Sequence, residues 1–209
     1  YQIYRTLLAN GKPALVKLND HWDMEQGRLE AGGRDVAWSY PKEAAIKAGF
    51  RLIQLKILHR AYYSWTRVFA MGRAEHDRRL RGCGRRGTLL QTLWECPHQR
   101  DFWEKVERTL SRVAEFEIKL TAALVTIGVW GELTLEKHIL RFWNIALMAA
   151  KRDVLRWWGD ERPPTWEKWQ QGLDWCMEAE ETVYRARGCP RKAKKIWGAW
   201  AEYREDILE

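Results

Sequence analysis

Long apolar runs are missing from this chain. No stretch of about 20 apolar residues, the length that crosses a bilayer, occurs in it. The longest candidate, Leu120 to Trp130, is interrupted by Thr121, Thr126 and Gly128, so no transmembrane helix and no membrane partner are predicted. No basic-then-apolar leader opens the chain, and Tyr1 stands where an initiator methionine is expected, so the 209 residues read as the ordered part or a terminal fragment of something longer. Proline and glycine number six and fifteen, too few for low-complexity linkers. The five histidines are scattered and complete no Ser/His/Asp or Cys/His arrangement, and no phosphate-cradling glycine loop is found, so catalysis is not expected. Cysteine is scarce, and the four thiols, Cys83, Cys96, Cys176 and Cys189, are expected to be reduced. A Cys83–Cys96 disulfide would need an oxidising compartment.

What the chain does contain is tryptophan and localised positive charge. Hydrophobic content of 46 % with 31 % charged residues is ordinary for a globular protein. The length supports one domain or two tightly packed subdomains. Fourteen tryptophans are present, eleven of them at or after Trp94. Such large side chains dominate packing, so most are expected in the core, with base stacking as the alternative use. The net charge of +8 lies almost wholly in residues 51–86, which hold ten Lys/Arg against two Asp/Glu. Residues 1–50 carry seven against six, and residues 87–209 nineteen against twenty.

The apolar periodicity is helical almost throughout, with no convincing strand and no internal repeat. Tyr1 to Asn10 carries a stripe at Ile3, Leu7 and Leu8, and residues 11–40 read as short helices and loops around Gly11, Pro13, Gly27, Gly32 and Gly33. Pro41 is expected to open a helix to about Ala61 with Phe50, Ile53 and Ile57 on one side. Ser64 then caps a short helix through Phe69, ended by Gly72. A basic loop covers 73–87, a short helix Thr88 to Trp94, and a longer one runs from Pro97 or His98 to about Ala114 with Phe102, Val106, Leu110 and Val113 inward. Further helices are expected over Leu120 to Ile127, from a Thr134 cap to Trp158, from a Thr165 cap to Arg185, and beyond Pro190 with Ile196, Trp200, Tyr203 and Ile207 as the stripe. The expected fold is all-α: a multi-helix bundle with a Trp-rich core and a degenerate zinc-knuckle-like loop. Three parts are drawn, 1–72, 73–97 and 98–209, as one compact unit.

The segment from Arg51 to Trp103 carries a recognisable phrasing. It reads Gln54-Leu55-Lys56-Ile57-Leu58-His59-Arg60, then Tyr62-Tyr63-Ser64-Trp65, Arg67-Val68-Phe69 and Met71-Gly72. The second half reads Gly82-Cys83-Gly84, Gly87-Thr88-Leu89-Leu90, Trp94-Glu95-Cys96-Pro97 and Phe102-Trp103. This resembles the C-terminal, cysteine-rich region of LINE-type non-LTR retrotransposon reverse transcriptase polyproteins. Weaker matches continue through Met177 to Tyr184, Arg187-Gly188 and Ile196 to Trp200 with Tyr203. The resemblance implies a region beyond the polymerase that engages element RNA and target DNA during target-primed reverse transcription. The polymerase's paired-aspartate turn is absent from the chain.

The family knuckle has the ligand order Cys, Cys, His, Cys. Here its first Cys position falls on Arg79 and its His position on Gln91, leaving Cys83 and Cys96. A structural zinc is closed and four-coordinate. A rearranged site would need Cys83 and Cys96 joined by His98 or His76, at spacings that are not the family's. The favoured expectation is no cofactor, with the loop held by packing and with Thr88-Leu-Leu-Gln91 acting as a capping box.

Binding is the expected function. Arg67, Arg73, Arg78, Arg79, Arg81, Arg85 and Arg86 form a dense guanidinium patch, preceded by Lys56, His59 and Arg60. Guanidinium forks suit phosphate oxygens, and Tyr62, Tyr63 and an exposed Trp65 at the patch edge could stack on unpaired bases. Packing on the knuckle is the alternative for the two tyrosines. RNA, single-stranded or in a hybrid, and DNA are the expected partners, with a nuclear and cytoplasmic location. The second cationic cluster, Arg185 to Lys195, reads as solvated surface. The rival expectation is a host-adopted copy serving as a protein-interaction module, or as a subunit of a larger complex, through exposed tryptophan faces on the last two helices.

Overall fold

The computed structural model describes residues 20–25, 27, 31–43, 47–78, 83–130, 136–158 and 162–208. The expected helix over Tyr1 to Asn10, the Thr134 cap, and Arg79 and Arg81 lie outside them. The described elements are α1 (Ala31–Glu43), α2 (Ala48–Leu58), α3 (Trp65–Ala70), a wide π-type turn (Gln91–Glu95), a 3-10 turn (Pro97–Gln99), α4 (Arg100–Val113), α5 (Ala122–Ile127), α6 (Lys137–Arg156), α7 (Trp166–Ala186) and α8 (Pro190–Leu208). Among the described residues no strand occurs, only an isolated antiparallel bridge between Arg78 and Arg86. The fold is all-α with a tryptophan-rich core.

α6 is the axis of the packing. Residues 142–151 of it are buried on every side, so its apolar surface is not a single stripe. α2, α7 and α8 pack directly against it. One core cluster runs from Trp22 through Trp143 and Trp169 to Trp200. Six tryptophans (22, 103, 143, 169, 197 and 200) are buried, each removing roughly 150–250 Å² from water. A buried indole N–H without a partner costs stability, and Trp143 Nε1 has none among the described residues, but the other buried indoles are matched. Trp22 donates to the Leu58 carbonyl at 3.1 Å, Trp103 to Leu93 and Trp169 to Ala146 at 3.0 Å, and Trp200 to Asp174 at 2.9 Å.

Two local expectations are corrected. Pro41 does not open a helix; it lies within α1, which also runs through Gly32 and Gly33. Burial of Ala37, Tyr40 and Pro41 outweighs the helix-breaking tendency of these residues. The expected cap at Thr165 is present, its hydroxyl accepting from Lys168 N–H at 3.4 Å; Thr121, which was not expected to cap, accepts from Leu124 N–H at 3.2 Å. Ser64 does not. It occupies the N-cap of α3, but its hydroxyl lies 3.0 Å from that of Thr66 and makes no capping bond.

Candidate nucleic-acid interface

The basic segment begins where α2 ends. The chain turns there on Arg60, whose φ of 50° is left-handed, while Ala61 N–H closes on the Lys56 carbonyl at 2.8 Å. The Arg60 side chain is largely buried, at 22 % exposure. It grips Glu25 with two bonds of 2.8 and 2.6 Å and lies 4.8 Å over the Trp22 ring. Tyr62 is half-buried and stacks on Trp158, with centroids 5.8 Å apart. Its packing raises the hydroxyl pKa by desolvation. His59 is exposed but sits edge-on to Trp38 at 5.4 Å. Lys56 is exposed on α2.

The next part of the segment forms one small module with the basic loop. Gly87 N–H donates to the Asp77 carbonyl at 2.8 Å, and Thr66 N–H to the Gly87 carbonyl at 3.3 Å. Arg86 Nε pairs with Asp77 Oδ2 at 2.6 Å. Gly87 lies so close to Trp65 that a Cβ built there would be 2.6 Å from the Trp65 Cβ. Trp65 is therefore tucked under the loop and half-buried, a correction to the expected exposed position. The loop is anchored to α3 by backbone bonds and by an indole.

This anchoring gathers a cationic rim. Tyr63 is 63 % exposed, and Arg67, exposed beside it, lies 5.2 Å from its ring and donates to the Arg60 carbonyl at 2.9 Å. Arg73 and Arg78 are exposed, with no ion pair to another described residue. Arg85 is exposed and donates to the Glu95 carbonyl at 3.3 Å. Arg86 remains 75 % exposed although paired with Asp77; so open a pair is strongly screened and leaves the guanidinium competent for another anion. Thus Tyr63, Arg67, Arg78, Arg85 and Arg86 belong to one module, while Arg60 and Tyr62 are turned into the fold. Phe69 and Met71, nearly half-exposed at the C-terminal end of α3, lie next to Arg73 in the chain. Sequence patterning did not single them out, because α3 is too short to define an apolar face.

The segment from Cys83 to Cys96 is held together by chemistry other than metal ligation. Gln91 Nε2 donates to Cys83 Sγ at 3.2 Å, and Gln91 N–H donates to Thr88 Oγ1 at 3.0 Å. Half of the expected capping box is therefore present. The reciprocal half is not, because the Gln91 amide points at sulfur and Thr88 N–H bonds the Arg86 carbonyl at 2.9 Å. The short helix expected over Thr88 to Trp94 is largely a π-type turn, which carries buried Gln91, Thr92 and Leu93 inward. Cys96 is buried, while His76 and His98 are exposed. Among the described residues no group of three or more His, Cys, Asp or Glu could hold a metal. Two thiols, one of them accepting from the Gln91 amide, do not supply the four ligands of a tetrahedral zinc.

On the last two helices, Trp169, Trp197 and Trp200 are buried, and Trp175 alone stands exposed among the described residues. No protein-family model matches the chain.

Proposed function

We propose that this chain is a non-catalytic nucleic-acid-binding module for single-stranded RNA or an RNA–DNA hybrid. It would serve as the region beyond the polymerase in LINE-type reverse transcriptases serves, supporting target-primed reverse transcription. The observation that carries this reading is the cationic rim on α3 and its loop. There Arg67, Arg73, Arg78, Arg85 and Arg86 are exposed, and Arg67 lies 5.2 Å from the ring of a largely exposed Tyr63. Guanidinium groups engage phosphates and an exposed phenol ring stacks on an unpaired base, a mixture suited to a single strand. The concentration of the net charge in residues 51–86 supports the same reading, since the rest of the chain is close to neutral.

The test is a titration of a labelled single-stranded RNA against two variants. Changing Arg78, Arg79, Arg85 and Arg86 together to glutamine is expected to abolish binding. Because Arg85 and Arg86 also hold the loop, a second variant changes only Arg73 and Arg78, and it is expected to weaken binding while leaving helicity by circular dichroism unchanged. Full affinity in the quadruple variant overturns the assignment. A protein contact through tryptophans of α7 and α8 has less support, since burial removes Trp169, Trp197 and Trp200 from any surface.

A further inference from the structure

A second cationic, aromatic-lined site lies away from the basic loop. The C-terminal turn of α6, the first half of α7 and Lys47 before α2 enclose a cleft of about 740 Å³, a volume suited to a small organic ligand. Four cations line it, Lys47, Arg152, Arg156 and Lys168, against one carboxylate, Asp153. Two indoles, Trp157 and Trp175, share the wall. Lys47 Nζ rests 3.7 Å from the Trp175 ring and Lys168 Nζ 4.6 Å from the Trp157 ring. Each ammonium covers an indole face that a flat ligand could take over.

The floor of the cleft is built rather than incidental. Arg152 Nε donates to Asp153 Oδ1 at 2.9 Å. Its guanidinium lies against Gly172, where a Cβ would come within 2.5 Å of Nη2; any side chain at 172 would push it aside. Asp153 is 5 % exposed, and its Oδ2 is buried with no hydrogen-bond partner among the described residues. A buried carboxylate oxygen without a donor is costly; Oδ2 is shut from solvent in this conformation, and an N–H from outside reaches it as the lining side chains part to admit a ligand. Trp175, at 53 % exposure, contributes little to the core that buries its neighbours.

We propose that this cleft binds a nucleoside phosphate, either free or as the phosphorylated end of a strand. The base stacks on Trp175 with the Lys47 ammonium displaced, a ring N–H or exocyclic amine donates to Asp153 Oδ2, and Arg156 and Lys168 hold the phosphate. Phosphate alone accounts for the cations but not for two indoles and an unmatched acceptor; a base supplies the flat face and the donor together. The assignment does not rest on the basic loop, and the Arg73/Arg78 variant is expected to leave it intact.

Calorimetric titration with the four 5′-mononucleotides, ribose 5-phosphate, inorganic phosphate and phosphotyrosine tests it. A matched pair of short oligonucleotides, with and without a 5′-phosphate, separates the two sources. A mononucleotide is expected to bind more tightly than ribose 5-phosphate. Trp175→Ala is expected to weaken it about tenfold, as for a base losing its stacking partner, and Arg156→Gln to weaken the phosphorylated ligands selectively. Binding of the phosphorylated oligonucleotide alone, still dependent on Trp175, assigns the site to a strand end. Nucleotide binding that ignores both substitutions, no binding of any nucleotide or phosphorylated strand, or a preference for phosphotyrosine overturns the proposal. Both substituted side chains lie on the surface, so loss of fold does not obscure the result.

Discussion

Lys151 has no solvent exposure, yet among the described residues it has no carboxylate partner. Its ammonium donates to Gln54 Oε1 at 2.7 Å and lies 5.0 Å from the Tyr40 ring, while Gln54 Nε2 donates to the Thr126 carbonyl at 2.9 Å. Burial lowers the lysine pKa to about 7, and it raises that of the Tyr40 hydroxyl. The folded-state value of Lys151 is thus depressed below the ordinary 10.5. Between those two values the unfolded chain holds a proton that the folded chain has released. Stability due to this group is lowest below about pH 7 and rises with pH, by up to about 1.4 kcal/mol per unit. Lys151→Met is expected to remove that slope. Urea unfolding of both proteins between about pH 6.5 and 7.5, below the range where Tyr40 and Cys176 titrate in the unfolded chain, checks it. Equal slopes in the two proteins would refute the buried-ammonium account. Neither Gln54 nor Lys151 carries a local signal of burial; each reads as the polar side of an amphipathic helix.

α3 and its loop form the smallest unit with a function to test. Their shape depends on Gly87 meeting Trp65 and on Asp77 receiving both Gly87 N–H and Arg86. Gly87→Ala drives a methyl group into the Trp65 Cβ, a rigid part of that side chain. The expected cost is about 1–3 kcal/mol, the range for overpacking. It should appear in urea unfolding, together with weaker RNA binding as the rim is displaced; unchanged stability would mean that the loop floats free of α3. The segment from Cys83 to Cys96 makes a separate forecast, for metal. Because Gln91 bonds Cys83 where a ligand is expected, a strong chelator should leave the unfolding midpoint unchanged. Mass spectrometry of the purified protein should find less than one zinc per chain; stoichiometric zinc would contradict this. Only the resemblance singled out Arg79 and Gln91, whereas the amide–thiol contact between Gln91 and Cys83 depended on the π-type turn, which no periodicity encodes.

The whole molecule is a neutral helical body with an electropositive rim. Affinity for RNA is therefore expected to fall steeply with salt, with log K dropping by about 0.7 per phosphate contact for each tenfold rise in salt concentration. The Arg73/Arg78 variant should flatten that slope. A salt-independent affinity would show that phosphates are not the ligand. Helical class, the capping threonine at Thr165, a core of indoles and the placement of positive charge were all legible in the order of residues. Each depends on near neighbours or on simple addition of charges, and these survive whatever the chain does at long range. The tertiary structure alone decided which arginines stay outside. It turned Arg60 onto Glu25 and Trp22, folded Tyr62 against Trp158, enclosed Lys151, and brought Lys47 to Trp175 across more than a hundred residues. Those contacts arise from packing between distant helices, where geometry and desolvation set the outcome and local pattern carries no record of it.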